Sequence, residues 1–337
     1  LWDTRLISKR RPLLDAYHTS SDGMKYTVPR DSLNARNSFK YGGREPVVSA
    51  YAFSDSRNLF HHVEVISGNE REAHYMIDGV LRNSVVKTDM HVTDTHGYTE
   101  MVFGASHLMN ISFAPRLKNI HRLKRYSFKG KKAYSHLQYP ILPDGKIKRD
   151  IIEKEWTQIL RVIVSIKLGY TTASQIFKRL NSYSESNNPL YAALREFGKV
   201  IKTLHILKYI DNLELRQAIH KQLNKGESGN KLDRALAIGH SGLNYATREE
   251  QEDVENCKRV IKNAIVCWNY MYLTQKLLDS KSPLKRRALL EKIKASSTVS
   301  WEHIIIHGEF DFSDLKLQDS HHFTYNKMHD PNLISDL

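Results

Sequence analysis

The stretch His91-Val92-Thr93-Asp94-Thr95-His96-Gly97 sets a carboxylate, flanked by imidazoles and hydroxyls, at the end of a short apolar run, Val85 to Val92, that reads as a buried strand. A polar cluster in such a place costs stability unless something uses it. Turning and hydrogen bonding account for part of it, and metal chemistry accounts for more. Upstream, Val47 to Phe53 and Leu59 to Ile66 are β-branched and aromatic and are joined by the polar Ser54 to Asn58, the pattern of a hairpin. Helices are predicted from Asn69 to Leu81, with Ala73, Met76, Ile77 and Val80 on one face, and from Tyr98 to Leu108, followed by a strand from Asn110 to Phe113. Strand, hairpin, helix, strand and helix in about 100 residues predict a mixed-sheet α/β domain.

From Arg149 the pattern becomes helical. Asp150 to Leu168, Thr172 to Leu180 and Leu190 to Leu207 carry apolar residues near helical spacing, with a polar connection at 181–189. A helix over Asp211 to Leu223 is expected to end in the loop Asn224-Lys225-Gly226-Glu227-Ser228-Gly229. The long helix Val254 to Leu278 presents Val254, Cys257, Ile261, Ile265, Trp268 and Tyr272 as a core stripe. Met24 to Val28 reads as a strand opened by a turn at Asp22-Gly23.

The 337 residues hold 51 Lys plus Arg against 37 Asp plus Glu, a formal net charge of +14. The excess is concentrated. Between Arg116 and Arg149 stand 11 basic residues and a single acid, Asp144, with Tyr126, Phe128, Tyr134 and Tyr139 among them. A basic belt with interleaved rings suits a phosphate backbone with splayed or distorted bases; the competing reading is a solvated lysine-rich surface. Cys257 and Cys267 are the only cysteines, so no disulfide framework or thiolate zinc site is available, and both are expected to be buried. His303 and His307 stand four apart, but Ile304 occupies the place where a metalloprotease motif needs Glu. No span approaches the length that crosses a membrane, and the setting expected is intracellular and rich in nucleic acid. Leu1-Trp2-Asp3-Thr4 is neither an initiator segment nor a signal-like one, which predicts a fragment of a longer protein.

Metal-assisted phosphoryl transfer needs two or three carboxylates converging on ions roughly 3.5–4 Å apart. Asp94 is one candidate, with helix capping as its alternative, and Asp22 is another, with a turn role as its alternative. For a third, Glu100, Glu196, Glu214, Glu227, Glu249 and Glu250 all lie in or beside helices, and only the neighbours Asn224, Lys225, Gly226 and Ser228 favour Glu227.

Six blocks, in order, resemble the C-terminal catalytic region of a Tn3-family transposase: Ser21-Asp22-Gly23; Asn34-Ala35-Arg36-Asn37-Ser38-Phe39-Lys40-Tyr41; His91 to Glu100; Leu223 to Glu227; Asn263 to Asn269; and Trp301-Glu302-His303-Ile304 with Gly308-Glu309. They span about residues 14 to 312. The resemblance implies an RNase H-like core with an Asp-Asp-Glu triad on Asp22, Asp94 and Glu227, holding Mg²⁺ (Mn²⁺ as its substitute). It implies an α-helical insertion ahead of the helix that bears the Glu, and further helices toward the C-terminus. The expected division is 1–148 for the first part of the core with the belt at 116–149, 149–210 for the insertion, 211–310 for the helical completion carrying Glu227, and 311–337 for a polar tail.

The activity implied is cleavage at the 3′ ends of a transposon and transfer of the freed 3′-OH into target DNA, a replicative transposition, in the bacterial cytoplasm at the nucleoid. The partners implied are double-stranded DNA and a second copy of the chain. Arg36, Lys40, Lys124, Arg125, Lys131, Lys132 and Lys225 are the expected DNA contacts, and His91 and His96 stand beside the site without ligating, because a hard ion prefers oxygen. The competing functions are a DNA-binding subunit of a recombination complex without its own catalysis, and a metal-dependent nuclease of the same fold.

Overall fold

The computed structural model describes residues 17–29, 31–37, 43–86, 88–182, 188–237, 243–280, 282–295, 297–306 and 308. Its first strand, β1 (His18–Thr27), pairs antiparallel with β3 (Pro46–Asp55), which pairs antiparallel with β4 (Phe60–Ser67). The two-residue β2 (Arg36–Asn37) adds to β3 at Pro46 and Val47. On its other edge β1 pairs parallel with β5 (Met90–Thr93). The hairpin expected at 47–66 is present, and its turn places Asn58 at φ 64°, a conformation that Asn tolerates, so no Gly was needed there.

Strand β1 runs straight through Asp22-Gly23, where a turn was expected. Gly23 serves close approach instead: a Cβ there would lie 2.1 Å from Glu72 Oε1 and 2.7 Å from Ser49 Oγ. The strand expected at 85–92 shortens to β5, and the one at 110–113 reduces to a single parallel bridge between His91 and Phe113.

Helices cover both faces of this sheet. On one face, α1 (Glu72–Leu81) and α2 (Glu100–Leu108) bury Met76, Ile77, Met101 and Val102 against Tyr51, Phe53 and Ile66. The same core takes Ile159, Ile163 and Ile166 of α3 (Arg149–Lys167), Phe177 of α4 (Ala173–Asn181) and Leu194 of α5 (Pro189–Asp211). Asp78 of α1 accepts from the backbone N–H groups of Ala173 and Ser174, so a buried carboxylate caps the start of α4.

On the opposite face lie α6 (Leu213–Leu236) and α7 (Arg248–Asp279), followed by α8 (Pro283–Ala295). Helix α6 continues through 224–229, where a loop was expected. Gly229 sits inside it because a Cβ would lie 2.4 Å from the Phe60 ring. Helix α7 starts at a capping box, Thr247 with Glu250. Its stripe is only partly the one expected: Ile265 is buried and Val254 packs against the core. Cys257 and Ile261 are exposed and Cys267 half-buried, while Gln251, Glu255, Lys258, Lys262, Ile265, Val266 and Asn269 are buried. The polar members are paired. Lys262 Nζ donates to Asp233 of α6 at 2.6 Å, and Lys258 Nζ donates to the Tyr26 hydroxyl at 2.9 Å.

Residues 116–148 carry only short elements, among them the parallel ladder of β6 (Tyr126–Ser127) with β7 (Gly145–Lys146). The tail at 311–337 and His307 lie outside the described residues. No helix among the described residues is long and apolar enough to cross a membrane.

Candidate active site

Side chains alternate across a strand, and residues paired in parallel register point the same way. In β1, Ser20, Asp22, Met24 and Tyr26 face α6 and α7: Gln222 of α6 donates to Ser20, Asn230 of α6 donates to Asp22, and Lys258 of α7 donates to Tyr26. Thr19, Ser21, Gly23 and Lys25 face the other way, toward Tyr51, His91 and Glu72. Ser20 pairs with Val92 and Ser21 with Thr93. One residue further along, Asp22 continues β1 while Asp94 is the first residue past the end of β5, near enough for its charge to act on Asp22. Val92, two residues before Asp94, packs with Ile219 and Leu223 of α6.

The two carboxylates are held differently. Asp94 begins a loop, and its Oδ1 accepts the backbone N–H groups of His96 at 2.8 Å and Gly97 at 3.0 Å. Asp22 lies in a small crevice formed with Ser20, Ala52, Ser54, Phe60, Gly226 and Asn230. It accepts from the Gly23 N–H and, through Oδ2, from Asn230 Nδ2 at 2.9 Å. Burial first, then the charges of Asp94 and Glu72, push its pKa up to about 7.

Glu227 is exposed on α6, directly after Gly226 in the crevice wall and one turn before Asn230. It has no hydrogen bond or ion pair with the described residues. Several other candidate glutamates are committed elsewhere. Glu100 pairs with Lys202, Glu196 with Lys199 and the Lys148 N–H, and Glu250 with its capping box. Glu214 and Glu249 are exposed in the first turns of α6 and α7. Among the described residues no three His, Cys, Asp or Glu side chains are gathered tightly enough to hold a metal ion: Asp94 lies near enough to act on Asp22, and Glu227 stays exposed beside the crevice. The donor chemistry fits a hard cation: both groups are carboxylates, and burial together with the charges of Asp94 and Glu72 disfavours the Asp22 anion, which a bound cation would offset.

His91 faces away from both carboxylates. Fully buried, it is hydrogen-bonded to Thr19 Oγ1 through Nδ1 and to Ser21 Oγ through Nε2, each at 2.8 Å, and Ser21 Oγ lies 2.6 Å from the Tyr51 hydroxyl. Burial holds its pKa down at about 3, so it is a neutral tie between β1 and β5. The His96 ring is exposed, and its link to the site is the backbone bond to Asp94. Sequence reasoning overlooked Asn230, which no periodicity distinguishes from other polar helix residues.

The expected DNA contacts differ in how they are presented. Arg36, Lys124, Lys131 and Lys132 are exposed. Arg125 is half-buried in a two-pronged pair with Asp144, the belt's one acid. Lys225 turns inward to the Ser56 carbonyl, and burial lowers its pKa to about 8. Lys40 lies outside the described residues. The belt begins at the site itself, because the Arg116 N–H donates to the Thr93 carbonyl and Thr95 Oγ1 to the Arg116 carbonyl.

Residues 13–310 match the family model of the Tn3 transposase DDE domain. The transposase for transposon Tn1546 of Enterococcus faecium is 34% identical over 307 residues, covering 90% of this chain and 30% of that protein. The transposase for transposon Tn2501 of Escherichia coli is 35% identical over 90% of this chain and 31% of its own length, and that for transposon Tn501 of Pseudomonas aeruginosa is 33% identical over 88% and 30%. The chain thus spans about a third of the length of these relatives. By the extent of both kinds of match, it belongs to the Tn3 transposase DDE domain family.

Proposed function

We propose that this chain is the catalytic part of a DNA transposase that cuts the 3′ ends of a transposon and joins the freed 3′-OH to target DNA, using Asp22, Asp94 and Glu227. The observation that carries the proposal is the parallel pairing of Ser21 with Thr93, after which Asp22 and Asp94 come next on adjacent segments, near enough for the Asp94 charge to act on Asp22, while α6, which bears Glu227, bonds to Asp22 through Asn230. An antiparallel β4-β3-β1 unit extended by a parallel β5 supports an RNase H-like core, with α3 to α5 as its helical insertion.

Asp22 and Asp94 would hold Mg²⁺, with Glu227 closing the set from α6. Such an ion supplies positive charge at the scissile phosphate and at the attacking and leaving oxygens. The protein's own work is positional. Backbone N–H groups of residues 96 and 97 fix Asp94, β1 and α6 fix Asp22, and the exposed belt lysines attract the phosphate backbone. No protein nucleophile is required. Duplex DNA at transposon ends and target is the substrate class, a second copy of the chain is the partner for pairing two ends, and the bacterial cytoplasm at the nucleoid is the setting.

The test is Asp94→Asn in the intact protein, assayed for end cleavage and strand transfer with Mg²⁺. Both are expected to fall by at least about a thousandfold, as when a charge-stabilising catalytic group is lost. Transfer at the unchanged rate would reject the assignment, and hydrolysis of a pre-cut end without joining would favour a nuclease.

A further inference from the structure

Helix α6 meets the sheet through an unusual stripe. Beside the apolar residues that an amphipathic helix ordinarily buries, here Ile219, Leu223, Leu232 and Leu236, its inner side carries Gln222, Gly226, Gly229, Asn230 and Asp233 at helical spacing. Gly229 lets the helix close on Phe60, where a Cβ would lie 2.4 Å from the ring, and Gly226 lines the crevice beside Ser20 and Asp22. Two of the polar residues donate to β1, Gln222 Nε2 to Ser20 Oγ at 3.0 Å and Asn230 Nδ2 to Asp22 Oδ2 at 2.9 Å, while Asp233 accepts from Lys262 Nζ of α7 at 2.6 Å. Apolar packing tolerates small slides and rotations, whereas hydrogen bonds fix both. A stripe of this kind sets the position of α6 over β1.

We propose that Asn230 is a positioning residue for the metal-binding carboxylates, tying Asp22 directly to the helix that carries Glu227. An ionised carboxylate only accepts, so the amide must present its NH₂ to Asp22. That bond engages one lone pair of Oδ2, and the Gly23 N–H engages Oδ1, leaving each oxygen a further lone pair for a cation. Three residues of helical rise, roughly 4.5 Å, separate Asn230 from Glu227 along α6. Fixing the first therefore fixes the starting point of the second. The inference rests on the proposed metal-dependent function of these carboxylates.

The experiment follows Mn²⁺ binding to the intact protein by the electron paramagnetic resonance signal of the free ion, alongside duplex binding and thermal melting. Asn230→Leu keeps the volume and removes the donor; it should weaken Mn²⁺ half-saturation at least tenfold while leaving duplex affinity unchanged. Asn230→Gln keeps an NH₂ on a longer stem and should recover part of the loss. Gln222→Leu removes a bond of the same stripe that does not reach Asp22, and should leave Mn²⁺ binding as it was. Unchanged Mn²⁺ binding in Asn230→Leu, or an equal loss in Gln222→Leu, would overturn the inference, and the Gln variant keeps the test open if the Leu variant does not fold. Asp94→Asn separates the two levels: if it binds Mn²⁺ like the unaltered protein, the metal site itself is wrong and the inference falls with it.

Discussion

Ser21 of β1 lies opposite Thr93 of β5 in parallel register, with Asp22 and Asp94 the next residue on each chain. Ser21 itself closes a buried hydrogen-bonded chain with His91 and Tyr51. The register follows from burial, because a slip of one residue would turn Val92 out of its apolar cluster and bring His91 to the carboxylates.

The charge state of Asp22 gives the first prediction. Its folded-state pKa is raised to about 7 from an ordinary value of 3.8, so the folded state loses stability as pH rises between those values. Without divalent metal, Asp22→Asn should stabilise the protein at pH 8 by on the order of 2–4 kcal/mol and leave it unchanged near pH 3. Melting curves with and without Mg²⁺ check this. Mg²⁺ should raise the melting temperature of the unaltered protein and have little effect on the variant.

Acid should act in the opposite sense through the buried histidines. The folded-state pKa is lowered to about 3 for His91 and to about 4 for His61 and His74, in each case chiefly by burial. These groups are neutral when folded and take up protons when unfolded, so stability falls as pH drops from about 6.5 toward 4. In His91→Gln the pH slope of denaturant stability over this interval should decrease by one proton, with a loss at pH 8 of about 1–3 kcal/mol for the broken bonds. Imidazole nitrogen shifts should show His91 neutral at pH 5.

The buried pair joining α6 to α7 is a liability when halved. Lys262→Met strands the Asp233 carboxylate and should cost about 3–5 kcal/mol, whereas adding Asp233→Leu should recover most of it. Denaturant midpoints of the single and double variants measure the difference.

DNA affinity should depend on the belt and not on Lys225. Neutralising exposed Lys131 and Lys132 to Gln should lower the salt slope of duplex binding by about 0.9 for each phosphate that the lysines no longer neutralise. Lys225→Gln should leave that slope unchanged and reduce stability, because its ammonium is spent on the Ser56 carbonyl. A slope unaffected by the double change would remove the belt from the interface.

Much of the frame is legible from local pattern. The 46–67 hairpin, helices α1 to α5 and the carboxylate at the end of β5 all follow from periodicity and β-branching. What local reading misses depends on partners remote in sequence. Asp22-Gly23 has turn composition, yet its glycine makes room for Glu72, about fifty residues away. Gly229 looks like a helix breaker until Phe60 is seen against it. The stripe expected on α7 followed hydrophobicity, whereas the face actually buried holds lysines and carboxylates that neutralise one another. Asp22 and Asp94 can be weighed as candidates from sequence alone, but their nearness comes from the pairing of β1 with β5, which a single sequence does not display.

The most direct measurement is the location of Mn²⁺, by anomalous diffraction, in crystals of the intact protein bound to a transposon-end duplex. The account predicts manganese within about 2.0–2.3 Å of carboxylate oxygens from Asp22 and Asp94, with Glu227 of α6 turned in to complete the shell. Manganese held elsewhere, or held at this site with Glu227 still facing solvent, would contradict it.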